Sequence, residues 1–343
     1  MKPFTYRSRG WAGRWMFTAI AMLGIASAAT HAADNASQST ALTTVGTLDA
    51  SARPPAVPVD YVVTPNGYFS VSCVQPVHAG EKLHSDGRIE SANGSMRTPA
   101  ACTQPHYSAS GARIDPNGTI TAMAGSTRKN PSINGWVLDA DYSSSVAIGR
   151  IVASWTVPSA PTKVTSSQVD YFFPGLEQSE SSAESILQPV LGYNAFSSPY
   201  NKWTMASWNC CVSGTTYYSD PINVSVGDKI VGNTQSSCGA WPSCATWAIT
   251  STDETTGQST TLNTDPYAAL TWVFGGVLEA YGISSCNQFP ASQPLVFSSI
   301  QVYDINNNPI ASPPWGASYD VGSAKPQCNY NISTTTSSVT LAY

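Results

Sequence analysis

From residue 133 onward, apolar and polar positions follow one another with a period of two over short stretches, and no stretch makes a convincing amphipathic helix. Gly149, Ile151, Ala153, Trp155 and Val157 alternate with Arg150, Val152, Ser154 and Thr156, the pattern of a strand with one buried face. Similar runs predict strands over 222–230, around Gly227-Asp228, and over 245–251, 270–281 and 296–303. Many short strands in succession predict an all-β chain, an antiparallel sandwich or jelly roll rather than a parallel α/β sheet.

The pattern changes upstream. Residues 59–120 read as a compact β-like segment bounded by the turns Pro65-Asn66-Gly67 and Pro116-Asn117-Gly118. Residues 33–58, rich in Ala, Ser, Thr and Pro, read as a flexible leader. A boundary is expected near 130, where Gly125, Ser126, the pair Arg128-Lys129 and Pro131 mark a shift in composition. The first 32 residues have the form of an export signal. Lys2, Arg7, Arg9 and Arg14 precede a mostly apolar stretch over 15–26, and small residues follow at Ala26-Ser27-Ala28 and Thr30-His31-Ala32. That stretch is shorter than the roughly 18 residues a membrane span needs. The expected organisation is therefore a signal peptide (1–32), a leader (33–58), a small β-rich region (59–130) for which removal as a propeptide is one reading, and a sandwich domain (131–343). A secreted or periplasmic protein with no membrane association after signal removal is expected.

Charge sharpens this picture. The net charge is −5, with 11 Lys or Arg against 7 Asp or Glu before residue 131, and 5 against 14 after it. An acidic main domain disfavours nucleic acid as a partner, because phosphate contacts need clustered basic residues. Only 11% of residues are charged, which argues against helical bundles and coiled coils. Eight cysteines in an exported chain imply disulfides. Cys73 and Cys102 are expected to pair; Cys210, Cys211, Cys238 and Cys244 form a central group, and Cys286 and Cys328 flank the last predicted strands. Without Cys-x-x-Cys spacing, a metal site is not expected, nor is any cofactor. A monomer is expected.

The four histidines are His31, His78, His84 and His106, so the 133–343 domain has none. Within that domain a Ser-His-Asp or Cys-His site is excluded, as is a His-ligated metal. Acid–base chemistry there falls to carboxylates assisted by neutral polar groups, which points to hydrolysis of peptides or glycosides. In the strand around Val277-Leu278-Glu279-Ala280-Tyr281, Glu279 shares a face with Val277 and Tyr281. A carboxyl there is costly to bury unless paired or protonated, and burial raises its pKa. In Glu184-Ser185-Ile186-Leu187-Gln188-Pro189-Val190, period-two counting puts Glu184, Ile186, Gln188 and Val190 together, and the Gln188 amide can donate to a developing oxyanion.

Taken in order, these segments resemble the glutamic peptidases of the eqolisin type. Asn134-Gly135-Trp136-Val137-Leu138 and Ala153-Ser154-Trp155-Thr156-Val157-Pro158 look like the family's opening strands. Ile186-Leu187-Gln188 looks like its Ile-Leu-Gln, Val224-Ser225-Val226-Gly227-Asp228-Lys229-Ile230 like its Ser-x-Gly-Asp-x-Ile strand, and Val277-Leu278-Glu279-Ala280-Tyr281 like its Ile-Val-Glu-Asp-Phe. The resemblance covers roughly 133–305. It implies a concanavalin A-like sandwich of two antiparallel sheets, with Glu279 as general base then acid, Gln188 as oxyanion donor, and a polypeptide substrate. On the same resemblance Trp136, Trp155, Trp208 and Glu184 are candidate substrate contacts. Two departures stand out: Trp208-Asn209-Cys210 replaces the family's Trp-x-Glu, and Phe274-Gly275-Gly276 stands where Ala-Glu-Trp is common. Two other readings stay open. One is a carbohydrate-binding or glycan-hydrolysing sandwich, with Trp203, Trp208, Trp241, Trp247 and Trp272 available to stack on sugar rings. The other is a secreted structural domain that kept the fold without the chemistry.

Overall fold

A computed structural model describes residues 53–121, 133–166, 168–178, 186–196, 201–212, 214–237, 246–265, 269–322 and 325–343. The expected signal peptide, most of the leader, the boundary near 130, Glu184, Cys238, Trp241 and Cys244 lie outside the described residues. Those residues are built from strands, and their helical pieces are two single 3₁₀ turns, Val71–Cys73 and Cys286–Gln288. No helix among them is long and apolar enough to cross a membrane.

The first nine strands are short: β1 (Val62–Thr64), β2 (Gly67–Phe69), β3 (Val74–Val77), β4 (Lys82–Leu83), β5 (Ile89–Glu90), β6 (Met96–Arg97), β7 (His106–Tyr107), β8 (Arg113–Ile114) and β9 (Ile120–Thr121). After them come β10 (Ile133–Ser143), β11 (Ile148–Thr156), β12 (Val169–Glu177), β13 (Ile186–Tyr193), β14 (Trp203–Val212), β15 (Thr215–Ser219), β16 (Ile222–Val224) and β17 (Lys229–Ser236). The chain closes with β18 (Trp247–Asp253), β19 (Ser259–Thr264), β20 (Trp272–Ile283), β21 (Leu295–Asp304), β22 (Gly316–Ser318), β23 (Asn331–Thr335) and β24 (Ser338–Ala342).

Two large sheets result. One runs β22-β10-β20-β12-β13-β14-β15-β3, with β16 also on β14; the other runs β23-β24-β21-β11-β17-β18-β19-β4-β5-β6. Neighbours pair antiparallel except β15 with β3 and β19 with β4, which are parallel. Between the sheets lies the main core, to which Leu138, Phe172, Leu187 and Leu278 contribute from the first sheet and Ile151, Trp155, Ile249 and Phe297 from the second. Such a two-layer, largely antiparallel arrangement is the sandwich that the alternating pattern predicts. Gly276 is what the layers require at one close approach, because a Cβ there would lie 2.3 Å from the Phe297 ring.

The predicted strand over 222–230 is two strands. Gly227 takes φ +91°, and the turn closes through Asp228 N–H on the Ser225 carbonyl at 3.0 Å. The chain thereby leaves β16 in the first sheet and enters β17 in the second.

The second sheet has one wet face, and β17, β18 and β19 alternate between buried and partly exposed positions. By contrast, every residue of β12 and β13 is buried. The reason is a third, five-stranded sheet, β1-β2-β7-β8-β9, which covers the outer face of the first sheet. The N-terminal region therefore has two parts. Strands β3 to β6 extend the edges of the large sheets and send Val77, Leu83 and Ile89 into the main core. The five-stranded cap shares a second core with the outer face, formed by Val62, Val63, Tyr68, Phe69 and Tyr107 against Tyr171, Phe173, Val190 and Tyr281. Disulfides join Cys73 to Cys102, as the sequence leads one to expect, Cys210 to Cys211, and Cys286 to Cys328.

Candidate active site

Strand β20 carries Glu279 on the face turned to the cap, beside Val277 and Tyr281, in agreement with period-two counting. Across the ladders it stands opposite Trp136 of β10 and Tyr171 of β12. The Tyr281 hydroxyl donates to Oε1, the Trp136 indole also donates to the carboxylate, and Oε2 has no hydrogen-bond partner. Glu279 is 1% exposed. Burial pushes its pKa up to about 8, against the opposing pull of the Tyr281 and Trp136 hydrogen bonds. In this state the carboxyl keeps its proton at neutral and acid pH.

Gln188 lies on β13, fully buried and opposite Trp208 of β14. It faces the same side of the same sheet as Glu279. The two strands are separated by β12, and Gln188 precedes by four positions Gly192, the residue that faces Tyr171 across the ladder. The relation is thus diagonal across the outer face. The cap fills the space between: Gln188 Nε2 donates to the Pro65 carbonyl at 3.4 Å, and its Oε1 accepts from Asn66 Nδ2 at 3.4 Å. Closer to Glu279, the Tyr171 hydroxyl donates to the Val63 carbonyl at 3.2 Å, and the Tyr68 ring stands edge-on to Tyr281 at 5.4 Å. The Tyr68 hydroxyl donates to Asn134 Oδ1 at 3.1 Å, which also accepts from Gly282 N–H at 3.0 Å.

Beside the turn is a cavity of about 940 Å³, lined by Glu279, Tyr281, Trp136 and Asn134 from the first sheet and by Asn66 and His106 from the cap. Glu177 at the end of β12 and Asp320 also line it. Burial raises the Glu177 carboxyl to about 8 and raises Asp320 as well. His106 is buried, its Nδ1 lacks a partner, and desolvation lowers its pKa to about 4.

Several residues sit where the sequence does not lead one to look. Trp155 points into the core between the sheets, against Phe297, and lies away from the cleft because its parity on β11 is inward. Trp208 is on the cleft side but is 1% exposed, stacked on Tyr218 and Phe196. Trp203 and Trp247 are buried too, so they offer no face to a sugar ring; Trp272 is partly buried and donates to Asp141. Trp136 does line the cavity. Glu184 lies outside the described residues. His106, Glu177 and Asp320 were not singled out by sequence reasoning. The absence of histidine holds for 133–343, but the cavity takes part of its wall from residues 53–121. A carboxylate ending an otherwise apolar strand, as in Phe173-Pro174-Gly175-Leu176-Glu177, was the available signal for Glu177.

No protein-family model and no curated protein matches this chain. Among solved structures, it is similar to scytalido-glutamic peptidase with a peptide-based transition state analogue, at 16% identity and TM-score 0.45, over 62% of this chain and 99% of that one. A second similar structure is SCP-B, a member of the eqolisin family of peptidases, in complex with the tripeptide Ala-Ile-His, at 16% identity and TM-score 0.44 over the same shares. A third is aspergilloglutamic peptidase from Aspergillus niger, at 16% identity and TM-score 0.33, over 51% of this chain and 98% of that one.

Proposed function

We propose that this chain is an exported acid peptidase in which Glu279 and Gln188 form the working pair. One observation carries the reading. The two side chains come from distant strands to one face of one sheet, and the Gln188 amide there donates to a peptide carbonyl oxygen, that of Pro65. That contact supports the reading, because an amide that donates to a peptide carbonyl can donate to the oxyanion formed from it.

In the proposed reaction, Glu279 as carboxylate takes a proton from water, and the oxygen attacks the substrate carbonyl carbon. The Gln188 amide stabilises the resulting oxyanion in a substrate that spans β12, the strand separating the two groups, in the space the β1–β2 turn fills here. Glu279 then delivers its proton to the departing nitrogen, and the C–N bond breaks. Tyr281 and Trp136 hold the carboxylate and stabilise its charge, which makes them positioning residues. Glu177 and Asp320 give the cavity an acidic wall.

The test is hydrolysis of casein or peptides between pH 2 and 7, with pepstatin present to exclude contaminating aspartic peptidases. Glu279→Gln is expected to lose about 10²–10⁴ in turnover, the share of a positioned acid–base group. Full proteolysis by that variant would end the assignment.

A further inference from the structure

The cleft is occupied by the chain's own β1–β2 hairpin, and the manner of occupation is specific. The Pro65 carbonyl sits on the amide of Gln188, the Val63 carbonyl on the hydroxyl of Tyr171, and the Tyr68 ring against Tyr281 next to Glu279. The hairpin backbone thus meets Gln188, which on the reading above would meet substrate, and crosses the face beside Glu279. The turn is tightly seated: Gly67 has φ +106°, and a Cβ there would lie 2.2 Å from the Tyr107 carbonyl oxygen of β7.

Behind the hairpin stands one imidazole. His106 lies flat against Phe69, with ring centroids 4.5 Å apart and planes 7° apart. The titratable and charged groups of the surrounding elements are few. Tyr107 is its neighbour on β7, Arg113 and Asp115 on the β8 side form an ion pair with each other, and Arg53 ahead of β1 is bonded to the Pro58 and Tyr61 carbonyls. Across the cavity are Glu177, Glu279, Tyr281 and Asp320. None of these figures among the causes of the His106 shift, which comes from burial.

We propose that the β1–β2 hairpin is an intramolecular occupant of the cleft, lying where a substrate peptide would lie, and that protonation of His106 releases it. The first half rests on the peptidase reading; the release does not. A charged imidazole cannot stay stacked and desolvated against Phe69 without a counter-charge. The imidazole titrates near 6.5 when free and at about 4 when the hairpin is seated. The seated form is therefore fully favoured above the free value and loses ground as pH falls through this interval, by roughly 300-fold in the open-to-closed ratio. Release is local. Strands β3 to β5 stay in place, since Val77, Leu83 and Ile89 belong to the main core. Release also admits water to Glu279, and hydration returns its carboxyl toward the ionised state that a general base needs.

The experiment is amide hydrogen exchange on the full exported chain from pH 7 to pH 3.5, corrected for the intrinsic pH dependence of exchange, with peptide hydrolysis measured in parallel. Protection over residues 62–69 is expected to fall on acidification by one to two orders of magnitude, about what the linkage above allows, while that of β3 is retained. His106→Phe keeps a flat aromatic ring against Phe69 but cannot take a proton, and should hold protection down to pH 3.5. Asn66→Ala, which removes the Asn66–Gln188 bond, should open the hairpin at higher pH. Protection that ignores pH, or falls equally in His106→Phe, overturns the proposal. An opening hairpin with no hydrolysis at any pH would instead retain the release and sink the peptidase reading.

Discussion

The Tyr281 hydroxyl donates to Oε1 of Glu279 from two residues further along the same strand, while Oε2 is left without a partner. One oxygen is held, and the other is buried without a partner and is left for a water once water is admitted. Because this bond favours the ionised carboxyl, Tyr281→Phe should raise the Glu279 pKa further. The acid limb of kcat/KM against pH should then move to higher pH by about one unit, a tenfold loss below it. A pH profile that keeps its position would remove Tyr281 from this role.

Gln188→Ala should lower kcat by about 10²–10³ with little change in KM, because the amide acts most strongly on the charged intermediate. Circular dichroism and thermal unfolding serve as the control for folding. A rise in KM at constant kcat would assign Gln188 to ground-state binding instead.

Buried carboxyls make a clear prediction about stability. Burial raises Asp139 to about 9, Asp170 to about 7, and Glu177 and Glu279 to about 8, and the neighbouring Asp141 and Asp320 push Asp139 further the same way. A carboxyl raised in the folded state binds its proton more tightly there than in the unfolded chain. Its contribution is complete below the unfolded value near 4 and is lost as pH rises through the folded value. The urea midpoint should therefore fall from pH 5 to pH 8, against the smaller opposite trend of His106. Asp139→Asn should flatten that slope. A midpoint that climbs over this interval would show the carboxyls to be ionised in the fold.

Gly276→Ala should destabilise by about 1–3 kcal/mol, the usual cost of overpacking, since the added methyl meets the Phe297 ring. Adding Phe297→Leu should recover part of the loss, as measured by urea unfolding of both variants.

How far the sequence was legible depended on how many faces a strand buries. In β11, β18 and β19 one face is wet, and the alternation of polar residues marks them. Strands β12 and β13 are covered on both sides, so their runs carry no period to read. Most cap strands hold two residues, too few for any periodicity. Parity did place Glu279 and Gln188 on definable faces, because a period of two fixes a side chain once the strand is known. What parity could not supply was the segment lying on that face. Asn66 and Gln188 are 122 positions apart in the chain, and nothing local to either announces the contact. Trp155 departs from expectation for a related reason: its motif suggests substrate contact, while its alternation with Thr156 turns it into the main core.

The parallel pairings of β3 with β15 and of β4 with β19 bear on the order in which the molecule can be made. Val74–Val77 finds its partner only at Thr216–Ser219, and Lys82–Leu83, which pairs locally with Ile89–Glu90, joins the rest of the second sheet only at Asn263 and Thr264. During synthesis β3 therefore lacks its sheet partner until β15 has followed, and the β4–β5 pair lacks its place in the second sheet until β19 has followed. Contacts so remote in sequence close slowly, so the edges of both large sheets are completed late, after the segments that lie between these strands in the chain.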